Sequence, residues 1–491
     1  MFRQEGPSEE TENKGDLIPG SITSHIFIQE KQEMRLRKTM GLATVGLSLL
    51  FAGNAMAESY LVIANGNKFN KKLVADIEAM GAKAGHVMER VGIAEFDSLD
   101  ADFISKVEGI KGVWAAAPNM TIEFVDPSME VFEAEAVEPP FTGDDDFFFD
   151  AQWGHTAVEA LDTWAKGHRG AGVRVAVLDS GIDADNPEFV GTLNLALSTS
   201  FVAGENVDSS ILDPGPSFNH GTHVAGTIAA ADNGYGVIGV APEAELVAVK
   251  VLSQITGSGS FADVYAGMIY AANIDADLIN MSLGGSLPRS CGNGPGSRAD
   301  ACQALITAGN RVANYVRQQG TLIIASAGNS ARDFNSDKNL MELPNDLPGV
   351  VSIAATSPSG WATDPLNADF DIPAYYTNYG TSGVAFSAPG GSVFAYPGNE
   401  NCLIAGLVRP CWLFDLVFSV GNGAVWYWAQ GTSMAAPHAT GVAALIISAN
   451  GGPMAPSDVV EAMKAGADDV GKPGKDDFHG HGAVNANAST P

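Results

Sequence analysis

Positive charge is scarce in this chain of 491 residues: 27 Lys and Arg stand against 57 Asp and Glu, a formal charge of −30 at pH 7. That imbalance repels phosphate backbones and anionic lipid surfaces, so nucleic acid is not an expected partner and a polybasic membrane-surface role is disfavoured. Sulfur is scarce too. Four cysteines in so long a chain form no dense disulfide scaffold, and no C-x-x-C pair suggests zinc. Cys291 and Cys302, and likewise Cys402 and Cys411, are eleven and nine residues apart with Gly, Pro or Asn nearby. Such spacing favours two local, loop-closing disulfides in an oxidising compartment, although three connectivities are open. Long apolar runs are missing: the one candidate, about Gly41 to Ala52, is shorter than the ~20 residues of a spanning helix, so no stable membrane anchor is expected. Charged residues make up only 17% and apolar ones 45%, which excludes a disordered chain. At roughly 100 to 200 residues per domain, the length allows two to four domains, or one large domain with processed segments.

Met34 to Ala57 holds Arg35, Arg37 and Lys38, then the apolar run, then small residues at Ala55 and Ala57. These are the three parts of a secretory signal peptide, predicting cleavage after Ala57 and export. Residues 1–33 are a polar extension unusual upstream of such a leader, which suggests that translation starts at Met34. From Glu58 the pattern predicts strands at Tyr60–Ala64, Val91–Phe96 and Val113–Ala117 and helices at Lys71–Met80 and Asp100–Val107, a small α+β unit over 58–124. Residues 125–150, rich in Glu, Asp and Pro, read as an acidic linker, and Asp144 to Asp146 as its solvated part. Over 151–491 near-continuous apolar runs recur at Val173–Leu178, Ala244–Val251, Leu278–Met281, Thr321–Ser326 and Val350–Ala354, spaced by helix-length segments. Such runs predict strands buried on both faces, hence an α/β fold: a doubly wound, mostly parallel sheet with helices on both faces and function at the C-terminal strand ends.

Three segments carry chemistry. Asp179 ends the strand VAVL; His220 opens HGTHVAGTIAA; Ser433 stands before a long helix in GTSMAAPHATGVAALI, with Pro437 in its first turns. Taken singly, each has a bland reading: a turn aspartate, a packed histidine and a serine that caps a helix. His220 and His223 lack the glutamate and spacing of a zinc protease, and Ala435 breaks the G-x-S-x-G elbow of α/β-hydrolases. Together, in the chain order Asp, His, Ser, they are a nucleophilic set.

Residues 151–491 resemble the catalytic domain of subtilisin-like serine peptidases at VAVLDSGID, HGTHVAGTIAA, INMSLGG, SAGNS and GTSMAAPHATG. The resemblance implies Asp179 as orienter of the imidazole, His220 as general base and then acid, Ser433 as nucleophile and Asn329 as oxyanion donor, with no cofactor needed for catalysis. It implies a cleft for protein or peptide substrates, edged by Gly257, Ser258 and Gly259, with Phe261 at a hydrophobic subsite and Ser282, Leu283 and Gly284 along the primary specificity pocket. No unpaired carboxylate is placed at the base of that pocket, so apolar or broad specificity is expected. A structural calcium ion is implied, held by side chains of Glu188 and Asn233 and carbonyls of Ala231, Tyr235 and Val237. The unit at 58–124 resembles an inhibitor-type propeptide, which implies a self-inhibited, autoprocessed precursor cut between about Phe124 and Asp150, and a monomer. Two stretches exceed the compact family pattern: Leu287–Ala304 and Gly391–Tyr427, the latter with Trp412, Phe414, Phe418 and Trp426, read as a self-packed loop. A catalytically silent peptide-binding member of the fold, or a serine esterase, is the alternative; the intact residue set and the missing elbow argue against them.

Overall fold

The computed structural model describes residues 57–123, 131–134, 144–211, 218–294, 297–393, 400–423 and 425–491. The expected extension and signal peptide, up to Met56, lie outside them. Residues from Ala57 to Pro491 form one compact unit. Among the described residues no helix is long and apolar enough to cross a membrane.

The N-terminal part runs β1 (Glu58–Ala64), α1 (Lys71–Glu78), β2 (Lys83–Met88), β3 (Ile93–Ser98), α2 (Phe103–Val107), β4 (Val113–Pro118) and β5 (Thr121–Glu123). The first four strands make an antiparallel sheet in the order β2-β3-β1-β4. Helix α1 starts where Asn70 accepts from the Leu73 amide (2.9 Å) and buries Leu73 and Ile77 on that sheet. Tyr60, Val62, Phe69, Phe96, Phe103 and Val107 complete a small core. Strand β2 was not foreseen, and α2 begins three residues later than expected.

The expected linker is not a linker throughout. Strand β6 (Val131–Ala134) lies inside it and pairs into a sheet of the large domain, and Asp146 and Phe148 are completely buried. The large domain continues with β7 (Arg174–Asp179), α3 (His220–Ala229), β8 (Glu245–Lys250), β9 (Ser258–Ser260) and α4 (Phe261–Asn273). Next come β10 (Leu278–Met281), β11 (Gly285–Pro288), α5 (Ala301–Gln319), β12 (Leu322–Ser326) and β13 (Leu340–Leu343). Then follow β14 (Val350–Ser357), β15 (Phe386–Pro389), β16 (Val417–Val420), β17 (Trp426–Ala429) and α6 (Thr432–Ala449).

The central eight-stranded sheet runs β14-β12-β10-β7-β8, all parallel, with β15 added parallel on β14 and short strands at each edge. Each of the five apolar runs became one of its strands, because helices cover both faces and leave no solvated side to demand alternation. Helices α3 and α6 pack on one face, and α4 and α5 on the other. Leu61, Ile63, Ile93 and Ala115 of the N-terminal sheet join the second core directly. Polar contacts reinforce that junction: Arg311 donates to the carbonyls of Ala64 and Gly66 (both 3.1 Å), and the Arg298 amide donates to buried Glu108 (2.6 Å).

Cys291 is bonded to Cys302 and Cys402 to Cys411. The second insert is no self-packed loop: Phe414, Phe418, Trp426 and Trp428 are buried in the main core, and β16, β17 and β6 form one three-stranded sheet over α3.

Candidate active site

Strand β7 delivers Asp179 to the C-terminal edge of the sheet, where it is 1% exposed. Helix α3 begins beside it, with Asn219 accepting from the Thr222 amide (2.9 Å), so His220 enters from the first turn. His220 Nδ1 lies 2.9 Å from both carboxylate oxygens of Asp179. The approach depends on Gly221, since a Cβ there would stand 2.2 Å from the Gly181 carbonyl oxygen and 3.1 Å from Asp179. His220 Nε2 is buried and has no partner among the described residues.

Ser433 sits in the first turn of α6, and its hydroxyl donates to the Ser282 carbonyl (3.2 Å) while the Ser282 hydroxyl donates to the Ser433 carbonyl (2.7 Å). Asn329 Oδ1 accepts from the amide (2.9 Å) and hydroxyl (2.8 Å) of Thr432. With its oxygen so fixed, its Nδ2 faces Gly431, two residues before Ser433. His223 is a different case: its Nε2 bonds the Tyr427 carbonyl (3.0 Å) and burial pushes its pKa down to about 3, so it is a neutral packing residue.

The expected cleft edge lies on β9, and β5 of the N-terminal part lies on that strand antiparallel, pairing Glu123 with Ser258, Ile122 with Gly259 and Thr121 with Ser260. Gly259 lets β9 itself lie close against the chain after β8, because a Cβ would meet the Val251 carbonyl oxygen at 2.4 Å and the Leu252 side chain at 2.7 Å. Gly257, just before β9, has φ +67°. The Phe261 amide donates to the Met120 carbonyl (3.2 Å) and the Ala262 amide to Asn119 (3.0 Å), so the N-terminal part caps α4. Phe261 is buried beside Tyr265. Ser282 and Leu283 are buried and Gly284 half-buried.

The loop after α3 brings the expected calcium residues together. Glu188 is fully buried; one oxygen accepts from the Val237 amide (2.9 Å) and Trp426 Nε1 (2.8 Å), and the other has no partner among the described residues. Its main-chain oxygen accepts from Ala231 (2.7 Å), and Asn233 Nδ2 donates to the Pro187 carbonyl (3.3 Å). Asp146, expected in solvent, is instead seated here: its Oδ1 accepts from the amides of Asn233 (3.3 Å) and Tyr235 (3.2 Å), and its Oδ2 has no hydrogen-bond partner among the described residues. Burial first, and for Asp146 also the neighbouring Asp144, pushes both carboxyls up to about 8. Two buried carboxylates with an oxygen each to spare form a hard-oxygen set, which fits calcium.

Lys250 was missed by sequence reasoning. It is fully buried at the end of β8 and bonds the Ser180 carbonyl (2.5 Å) and Glu205 (3.0 Å), fixing the turn next to Asp179. A lysine interrupting the apolar run AVKV was the signal that could have found it.

Residues 170–482 match the subtilase family, and the chain belongs to it. It is 31% identical to a thermostable alkaline protease of Halalkalibacterium halodurans over 84% of this chain and 88% of that protein. It is 30% identical to the M-protease of Shouchella clausii over 90% and 94%. The epidermin leader peptide processing serine protease of Staphylococcus aureus shares its fold, with a TM-score of 0.69 at 17% identity over 88% of this chain and 98% of that one. The protein is therefore a subtilisin-like serine endopeptidase.

Proposed function

We propose that this chain is the self-inhibited precursor of a secreted endopeptidase, in which Asp179, His220, Ser433 and Asn329 carry out acyl transfer and residues 58–123 block the cleft. The observation that carries the reading is β5 lying on the β9 edge beside the Asp179–His220 pair. An extended peptide added to a sheet edge is how a substrate strand would bind. For catalysis the Ser433 hydroxyl turns from the Ser282 carbonyl toward His220 Nε2, which takes its proton as the oxygen attacks the scissile carbonyl. Asp179 holds the imidazole and stabilises its charged form; His220 then protonates the leaving amine, and water repeats the sequence on the acyl-enzyme. Asn329 Nδ2 and the Ser433 amide donate to the oxyanion. Asn329→Ala is expected to lower kcat by about 10² to 10³, the loss subtilisin itself shows, with little change in KM. Steady-state kinetics on a peptide anilide check this, and an unchanged kcat removes Asn329 from the oxyanion site.

The leader at 34–57 supports export, and the position of β5 supports maturation just beyond it. N-terminal sequencing of the active protein in the medium is expected to give a start between Phe124 and Val131, because Thr121–Glu123 occupies the cleft while Val131–Ala134 belongs to the large domain's sheet. A start at Glu58 in a fully active enzyme would end the precursor reading. Calcium is proposed at Glu188, Asn233, Ala231, Tyr235 and Val237, with Asp146 as an added ligand. EDTA is then expected to lower Tm and calcium to restore it; an unmoved Tm, with no metal in the native mass spectrum, would remove the ion.

A further inference from the structure

Residues 282–284, which the resemblance places along the primary specificity pocket, and Gly328 lie next to the turn that carries Ser433: the Ser282 hydroxyl donates to the Ser433 carbonyl (2.7 Å) and the Gly328 amide to the Thr432 hydroxyl (3.1 Å). Between them stands a carboxylate that no motif announced: Glu342 on β13, 5% exposed. Its Oε1 lies 3.5 Å from where a Cβ on Gly284 would be and 3.6 Å from where one on Gly328 would be. Gly284 leaves the path to the carboxylate open, since only the Leu343 carbonyl oxygen (3.6 Å) otherwise comes so near, whereas the Gly328 side is closed by Asn378 Nδ2, 2.4 Å from that position. Its Oε2 accepts from the Ser286 hydroxyl (2.6 Å) and from Arg332 (3.2 Å), whereas Oε1 accepts no hydrogen bond among the described residues.

Charge counting shows that Arg332 does not cancel the site. That guanidinium also pairs with Asp337 (3.3 Å) and donates to the carbonyls of Asp337 and Leu340, and Asp346 accepts from the Glu342 amide (2.8 Å). Two carboxylates, Glu342 and Asp337, share one cation, and Asp346 adds a third negative charge beside Glu342. An apolar side chain pushed into this space would strip water from Oε1 and give it nothing in return. An ammonium or guanidinium would satisfy it with a charge-assisted hydrogen bond.

We infer that Glu342 is the specificity-determining residue of the primary pocket and selects lysine or arginine immediately before the scissile bond. This differs from the apolar or broad preference expected from sequence, and it rests on Ser433 being the nucleophile. The chain holds no Lys or Arg between Lys111 and Lys166. The maturation junction is therefore not a preferred sequence and is cut because it is tethered, at an effective concentration far above that of any free peptide.

The test uses mature enzyme and four blocked tetrapeptide p-nitroanilides that differ only in the last residue: Arg, Lys, Phe or Leu. Wild type is expected to show kcat/KM for Arg and Lys at least about tenfold above Phe and Leu, and Glu342→Gln to reduce that ratio by about tenfold or more. A wild-type ratio below this, or one that the substitution leaves unchanged, overturns the inference. Ratios taken within one preparation are independent of the fraction of active enzyme; should the variant yield no soluble enzyme, the wild-type ratio alone decides. Failure of the peptidase reading is distinct: wild type would then hydrolyse none of the four, nor casein, and the inference would fall with it.

Discussion

Ser433→Ala is expected to accumulate as a folded chain from Glu58 to Pro491 whose peptide hydrolysis is slower by about 10⁶, the magnitude subtilisin shows when its nucleophile is removed. The large loss follows from the absence of any other activated hydroxyl beside His220 among the described residues, whose Nε2 then has no proton to take. Folding should survive, since the side chain removed makes a single 3.2 Å hydrogen bond to the Ser282 carbonyl. A typical bond of this kind contributes about 1 kcal/mol. Intact mass and N-terminal sequence of the purified variant, beside wild type, are the measurements. If the variant alone retains residues 58–123, then nucleophile and self-processing stand together. If both proteins carry the same cut after purification from a protease-free host, Ser433 does not perform maturation.

Legibility in the sequence followed the range of the interactions involved. The five buried runs were found because burial on both faces makes a strand uniformly apolar, as in Leu278–Met281, whose bounds agree to the residue. Asp179, His220 and Ser433 were proposed from their chain order and flanking motifs, and each stands at an element end, the end of β7 and the first turns of α3 and α6. Strand β2 was invisible, as KAGHVM is mostly half-buried or exposed and has no clean apolar alternation. Glu342 was invisible for another reason: it reaches Gly284 from 58 positions away through the β11–β13 pairing, and nothing local marks it. Asp146 misled because an acidic run reads as solvated, whereas its carboxylate is held by two amides of a loop 87 to 89 residues further on.

Phe148→Ala, made in the Ser433→Ala background to prevent autolysis, is expected to cost about 3 to 5 kcal/mol, while Asp145→Ala three positions earlier costs little. Phe148 is fully buried, edge-on to Phe418 at 5.3 Å and to Trp426 at 5.0 Å, and its amide donates to the Gly236 carbonyl (2.6 Å). Truncation leaves a cavity between the second insert and the loop that carries Asn233 and Tyr235. Urea unfolding of the two variants measures the difference, and a loss below about 1 kcal/mol for Phe148→Ala would return this segment to the status of a linker. The consequence reaches maturation. A cut after Asp150 would discard Phe148 and Asp146 and open the same cavity in every mature molecule, whereas a cut before Val131 keeps both aromatic packing and the buried carboxylate. Core stability thus disfavours a cut near Asp150 and is compatible with the interval between Phe124 and Val131 proposed from the cleft edge.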